Sequence, residues 1–160
     1  MRLQEFEELV KDLFGEISNK EEYGFSVRSG KDINRIGYST NLTPEVVQEG
    51  IQQKVDLIVT HHDAWEFLFG MKEYCVKQLA ENGIAHFFIH LPLDGADFGT
   101  GASLAKALGG RITAKTNLIE GYYCGVIAEF DGTELARFAA SMERVLDEPV
   151  RVWQNNNHPI

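Results

Sequence analysis

At 160 residues, 44% apolar and 24% charged, the chain is long enough for one buried core and has a globular composition. A formal net charge of -9 argues against a nucleic-acid backbone as the main partner, because phosphates would be repelled. No apolar run approaches the roughly 18 residues of a membrane span, and "MRLQEFEELVKDLFGE" is too acidic and amphipathic for a signal peptide, so the expected compartment is the cytoplasm.

Leu3, Phe6, Leu9, Val10, Leu13 and Phe14 recur at helical spacing and predict an amphipathic helix over residues 2–14. Phe6 and Phe14 on that helix also offer apolar surface to a second copy. Residues 19–31 are polar and broken by glycine, which reads as an irregular arm. "DINRIGYST" reads as a strand, and the helix after it opens with Thr43 as N-cap and Pro44 at its first position. "VDLIVT" is a short β-branched strand, "MKEYCVKQLAENG" a helix stopped at Asn82-Gly83, and "IAHFFIH" a further strand. "GASLAKALGG" is a helix ending in glycines. The alternation predicts an α/β fold, a largely parallel sheet with flanking helices. After about Ile112 the texture changes to strand, helix and a last short strand, "PVRVWQ". Two domains are therefore expected, an α/β domain over 1–112 and a smaller, incomplete α+β lobe over 113–160.

In parallel sheets of this kind ligands bind beyond the carboxyl ends of the strands. His61 and His62 stand at that end of "DLIVT". "IAHFFIH" finishes at His90, and Pro92 forces the chain off the sheet, carrying Asp94 over its edge. Strands joined by one helix tend to be neighbours, so the four residues should lie near one another. Imidazoles with a carboxylate suit zinc, iron, manganese, nickel or cobalt. Period-2 geometry sends His61 and His62 apart, so each should serve its own ion in a dinuclear centre of the hydrolytic kind. The bland alternative stays open, in which both are hydrogen-bonded loop residues.

Other features carry less. His86 reads as a satisfied core histidine, and His158 receives no role. Asp63 and Glu66 are candidate acids behind the metal ligands. Of Trp65, Phe67 and Phe69, at least two should be buried packing residues. "GTGASLAKALGG" lacks the Lys-Ser/Thr ending of a phosphate-binding loop, and Ser103 lacks the glycine-flanked spacing of a nucleophile. Cys75 and Cys124, without CxxC spacing, read as reduced thiols.

"DLIVTHHDAWEF" resembles the paired-histidine signature of the Nif-three-like family, whose members often carry the name type 2 GTP cyclohydrolase I. "IHLPLDGADFGTGASLAKALGG" is similar to the family's second motif, His-x-x-x-Asp, and "NLTPEVVQEGIQQKVD" to the helix before the first. The likeness is good over residues 32–110. It implies an α/β fold, a homohexameric toroid, and two divalent metal ions facing its cavity. His61, His62 and Asp94 match the metal ligands, with His90 close behind them. It also implies a metal-dependent hydrolase acting on a nucleotide-like or phosphorylated small molecule.

Asp63 departs from the family's proline and Asn41 from its aspartate. Family members also continue into a His-x-x-x-Glu pair that completes both metals. Nothing after Asp94 has that pattern, so the chain is expected to be truncated and to hold about half of the metal site. Two function classes follow: the dinuclear hydrolase, and a non-catalytic metal-binding or interaction module built on the ring.

Overall fold

A computed structural model describes residues 1–17, 19 and 21–154, so His158 lies outside the described residues. In chain order the elements are α1 (Leu3–Phe14), β1 (Tyr23–Val27), β2 (Ile36–Asn41), α2 (Pro44–Gln52), β3 (Leu57–His62), α3 (Met71–Asn82) and β4 (Ala85–Ile89). They continue with α4 (Leu91–Gly95), α5 (Thr100–Ala107), β5 (Arg111–Ile119), β6 (Tyr122–Glu129) and α6 (Leu135–Leu146). The chain divides into two units, Met1–Leu93 and Asp94–Ile160, a division earlier than the expected one at residue 112.

The first unit is a four-stranded sheet in the order β1-β4-β3-β2. β2, β3 and β4 run parallel, with Leu57 opposite Ala85 and Thr60 opposite Phe88, while β1 joins antiparallel to β4. The mixed α/β architecture with a largely parallel sheet is the expected one. Strand alternation divides the core in two. Leu57, Ala85, Phe87 and Ile89 pack with Phe6 and Val10 of α1. Ile58 packs with Val47 of α2 and with Cys75 and Leu79 of α3. Phe6 is therefore a core residue of its own chain and offers nothing to a second copy.

Local signals set these elements. Thr43 caps α2 by accepting from the Val46 N–H, with Pro44 next in line. Gly83 ends α3 in the left-handed region at φ 65°, where a Cβ would be costly. Gly50 lets α2 approach β3 closely, since a Cβ there would stand 2.7 Å from Ile58 Cδ1. Just before β3, the Asp56 carboxylate accepts from the N–H groups of Asn34 and Arg35 at 2.8 and 2.9 Å. Those two donors hold its pKa below the ordinary value.

Within residues 19–31, expected to be irregular, lies β1. Tyr23 and Phe25 pack on the Phe87 face and Val27 on the other after a bulge, and pairing with β4 outweighs the flexibility of Gly24.

In the second unit, β5 and β6 form a two-stranded antiparallel ribbon. Its turn is Glu120-Gly121, both at positive φ, between the paired Ile119 and Tyr122. Two such residues match the right-handed twist of a hairpin. "PVRVWQ" is not a strand: residues 149–154 have no regular secondary structure, and the Val150 N–H is taken by the Glu143 carboxylate. Among the described residues no helix is long and apolar enough to cross a membrane.

Candidate metal centre

Parallel pairing brings the carboxyl ends of β3 and β4 to one edge of the sheet. Three imidazoles meet there. The ring centroids of His61 and His62 are 4.4 Å apart, those of His61 and His90 5.0 Å, and those of His62 and His90 4.9 Å. One ring nitrogen from each lies within 4.8 Å of the others. His61 is buried, and His62 and His90 are half-buried.

Each ring is anchored through Nδ1. His61 Nδ1 stands 3.1 Å from the Ile89 carbonyl, His62 Nδ1 2.7 Å from Asn41 Oδ1, and His90 Nδ1 2.6 Å from Glu22 Oε2. A carbonyl, an amide oxygen and a carboxylate only accept, so Nδ1 of each neutral ring carries the proton and Nε2 the lone pair. Glu22 holds His90 twice, because its backbone carbonyl also accepts the His90 N–H at 2.8 Å. Imidazoles whose outer N–H groups are donated to oxygen are oriented as transition-metal ligands require. The three residues fit a borderline divalent ion.

The two adjacent histidines do not diverge as period 2 predicts. His61 follows the register of Leu57 and Val59, and His62 that of Ile58 and Thr60, yet their rings are neighbours. The ladder to β4 ends at Thr60 opposite Phe88, and His62 is paired only with Asn41 on β2. With one side of the strand released, the pleat no longer separates the side chains. His90, expected behind the site, stands level with the other two. Asp94 begins the second unit, on α4, where its Oδ1 accepts from the Thr100 hydroxyl at 2.7 Å. Among the described residues the cluster the fold assembles is thus His61, His62 and His90.

Asp63 and Glu66 take a different part from the one expected. Both pair with Lys72 Nζ, at 3.2 and 2.7 Å, which raises the lysine pKa, Glu66 being the stronger influence. Asn41, at one of the two departures from the family pattern, and Glu22, which sequence reasoning missed, are the side chains that hold the imidazoles. The alternation of Tyr23, Phe25 and Val27 was the available signal for Glu22, since it makes the arm a strand. His86 is a satisfied core histidine, as expected, bonded to Thr60 and Ser26. Burial pushes its pKa down to about 4, against the weaker opposite pull of Asp63, 3.7 Å away.

A cavity of about 360 Å³ opens over the cluster, lined by Glu22, His62, Trp65, Lys72 and His90 among others. That size suits a small molecule. Trp65 stacks on Phe67 with ring centroids 5.6 Å apart. Phe67 is 78% exposed and Phe69 fully so, contrary to the packing role expected of these aromatics. Burial pushes the Cys75 thiol up to about 11, and the Cys124 thiol donates to the Tyr122 carbonyl at 3.6 Å.

The family model of Duf34/NIF3 (NGG1p interacting factor 3) matches residues 1–160. The chain is 33% identical over 86 residues to NIF3-like protein 1 of Rattus norvegicus, a match covering 48% of this chain and 22% of that protein. The solved structure of protein ybgI superposes with a TM-score of 0.78 at 22% identity, covering 92% of this chain and 61% of the other. Staphylococcus aureus protein SA1388 gives 0.79 at 15% identity, over 100% of this chain and 73% of its own. The chain therefore spans about a fifth of the curated relative and about three fifths of ybgI.

Proposed function

The chain belongs to the Duf34/NIF3 family, and on that premise we propose that it is a metal-dependent hydrolase of a nucleotide-like or phosphorylated small molecule, built around two divalent ions. The observation that supports this reading is the cluster of His61, His62 and His90, each ring anchored through Nδ1 so that its Nε2 lone pair is available in the neutral form. In the proposal these three nitrogens and the Asp94 carboxylate are the chain's ligands.

Bound divalent ions supply Lewis acidity toward a carbonyl or phosphoryl oxygen. The protein supplies the rest. Glu22 and Asn41 keep the rings from turning, so little reorganisation remains when ligand bonds form. Trp65 gives the cavity an apolar wall, and Lys72 at its rim is held by the Asp63 and Glu66 carboxylates. Iron, zinc, manganese, nickel and cobalt all accept imidazole, and the donor set does not choose among them.

Elemental analysis of the purified protein and of His61→Ala, His62→Ala and His90→Ala, alongside hydrolysis of an activated phosphodiester with and without chelator, tests the reading. Each substitution is expected to lower metal content and chelator-sensitive turnover while the fold persists. Unchanged metal content in all three variants would return the histidines to ordinary loop residues.

The family resemblance also leads us to propose a homohexameric ring. Leu118, Ile119, Tyr123 and Ile127 on the ribbon, with Val145 and Leu146 on α6, are exposed apolar residues that contact between copies would cover. Sedimentation at micromolar concentration should show an oligomer, and a compact 18 kDa monomer would refute it.

A further inference from the structure

Behind the three imidazoles, on the face of the sheet that carries His62, runs a second set of polar side chains. Thr60 and His86 are fully buried, a placement that demands hydrogen bonds. The Thr60 hydroxyl lies 2.6 Å from the His62 carbonyl oxygen and 2.8 Å from His86 Nε2. His86 Nδ1 is bonded to the Ser26 hydroxyl.

The protons in this set can be assigned from what each atom is able to do. A carbonyl only accepts, so Thr60 spends its one proton on His62. Its oxygen must then receive the Nε2–H of His86. In a neutral ring that leaves Nδ1 as an acceptor, which takes the proton of Ser26. The bonds run one way: Ser26 to His86, His86 to Thr60, Thr60 to the His62 carbonyl.

Ser26 reaches His86 because β1 is bulged. Phe25 lies opposite Phe87 and Val27 opposite His86, which leaves Ser26 as the extra residue between them. A bulge is a device for re-aiming a side chain. At the other end of the chain His62 is fixed twice, its carbonyl by Thr60 and its ring by Asn41. That matters at this position, since the β3–β4 ladder has already stopped at Thr60 and no longer holds the backbone.

We propose that Ser26, His86 and Thr60 form a directional hydrogen-bond chain that positions His62 at the metal centre, with His86 as its central positioning residue. The proposal rests on the metal reading above and adds residues to it that touch neither ion nor substrate.

The test uses Co(II) titration of the whole chain, followed by visible absorption. Thr60→Val removes the hydroxyl at nearly constant volume, Thr60→Ser restores it, and His62→Ala controls for the metal reading. Thr60→Val is expected to weaken Co(II) binding about tenfold, the usual cost of losing an outer hydrogen bond, and to shift the absorption bands. Thr60→Ser should recover both, which a general loss of packing would not. Ser26→Ala should shift affinity the same way by less, and it keeps the proposal testable should Thr60→Val not fold. Wild-type affinity and spectrum in Thr60→Val and Ser26→Ala, with His62→Ala defective, would overturn the chain and leave the metal reading standing. Equal binding by the parent and His62→Ala would overturn the metal reading itself. Nitrogen-15 NMR of the metal-free protein decides independently of any ion: His86 should be the neutral Nε2–H tautomer at pH 7, and an Nδ1–H tautomer would refute the chain.

Discussion

The two units are built on opposite terms. In the first, β3 is buried along most of its length, and aliphatic and aromatic side chains fill both faces of the sheet. In the second, β5 is exposed almost throughout, α6 buries none of its residues, and among the described residues the buried apolar side chains are Ala102 and Ala105 on α5. Both contain well-formed helices and ladders, so hydrogen bonding does not distinguish them. Burial does, at roughly 25 cal/mol per Å² of apolar surface. Cohesion of the first unit is intrinsic, and the three histidines stand on it. Among its described residues the second has regular elements with few buried apolar side chains.

The largest expected contrast follows directly. Leu57→Ala, at a fully buried position between α1 and the sheet, should destabilise by about 2–5 kcal/mol, whereas Leu118→Ala, 60% exposed, should change stability by less than about 0.5 kcal/mol. Urea unfolding of both variants measures it, and a large loss at Leu118 would mean that the ribbon is covered in solution.

Acid should act through the first unit. His86 titrates at about 4 when folded and near 6.5 when unfolded, so the unfolded chain binds the proton first as pH falls. Stability from this group is complete above about 6.5 and is lost between there and about 4. The ceiling is about 3 kcal/mol at 1.36 kcal/mol per pKa unit. Unfolding free energies at pH 7 and 4.5 should converge when His86→Gln is compared with wild type.

Smaller effects sharpen the same comparison. Gly50→Ala drives a Cβ to 2.7 Å from Ile58 Cδ1 and should cost about 1–3 kcal/mol by overpacking, although alanine favours helix. Calorimetry showing stabilisation would mean that α2 can lift from β3 freely. Thr43→Ala should cost about 1 kcal/mol, since it strips a cap bond from Val46. Glu134→Ala at the head of α6, where no side chain caps the helix, should be nearly silent in the same measurement.

The sequence was most legible where a local signal coincided with burial. Thr43-Pro44 and Asn82-Gly83 mark helix ends by their own chemistry, and "DLIVT" announces a strand with both faces covered. It was least legible where the cause lay far along the chain. β1 owes its form to β4, some sixty residues later, and Gly24 conceals it. β5 sets Thr113, Lys115 and Asn117 among apolar residues that stay almost wholly exposed, so its strand signal is faint without β6 beside it. His61 and His62 could be read directly, but their convergence could not, because it depends on where a neighbouring ladder stops. Glu22 was invisible for the reason β1 was.

Glu22 and His90 are 68 positions apart, and Ser26 and His86 are 60. β1, which carries Ser26 and directly follows Glu22, is made before its partner β4, which emerges only after β2 and β3. The ring of His90 is not braced by Glu22 until that antiparallel pair closes, and closing a loop of this length carries an entropy that only the finished sheet offsets. An ion meeting the chain before then finds His90 without its carboxylate brace. The order in which the strands are made thus leaves the bracing of His90 as the last step in building the three-histidine cluster.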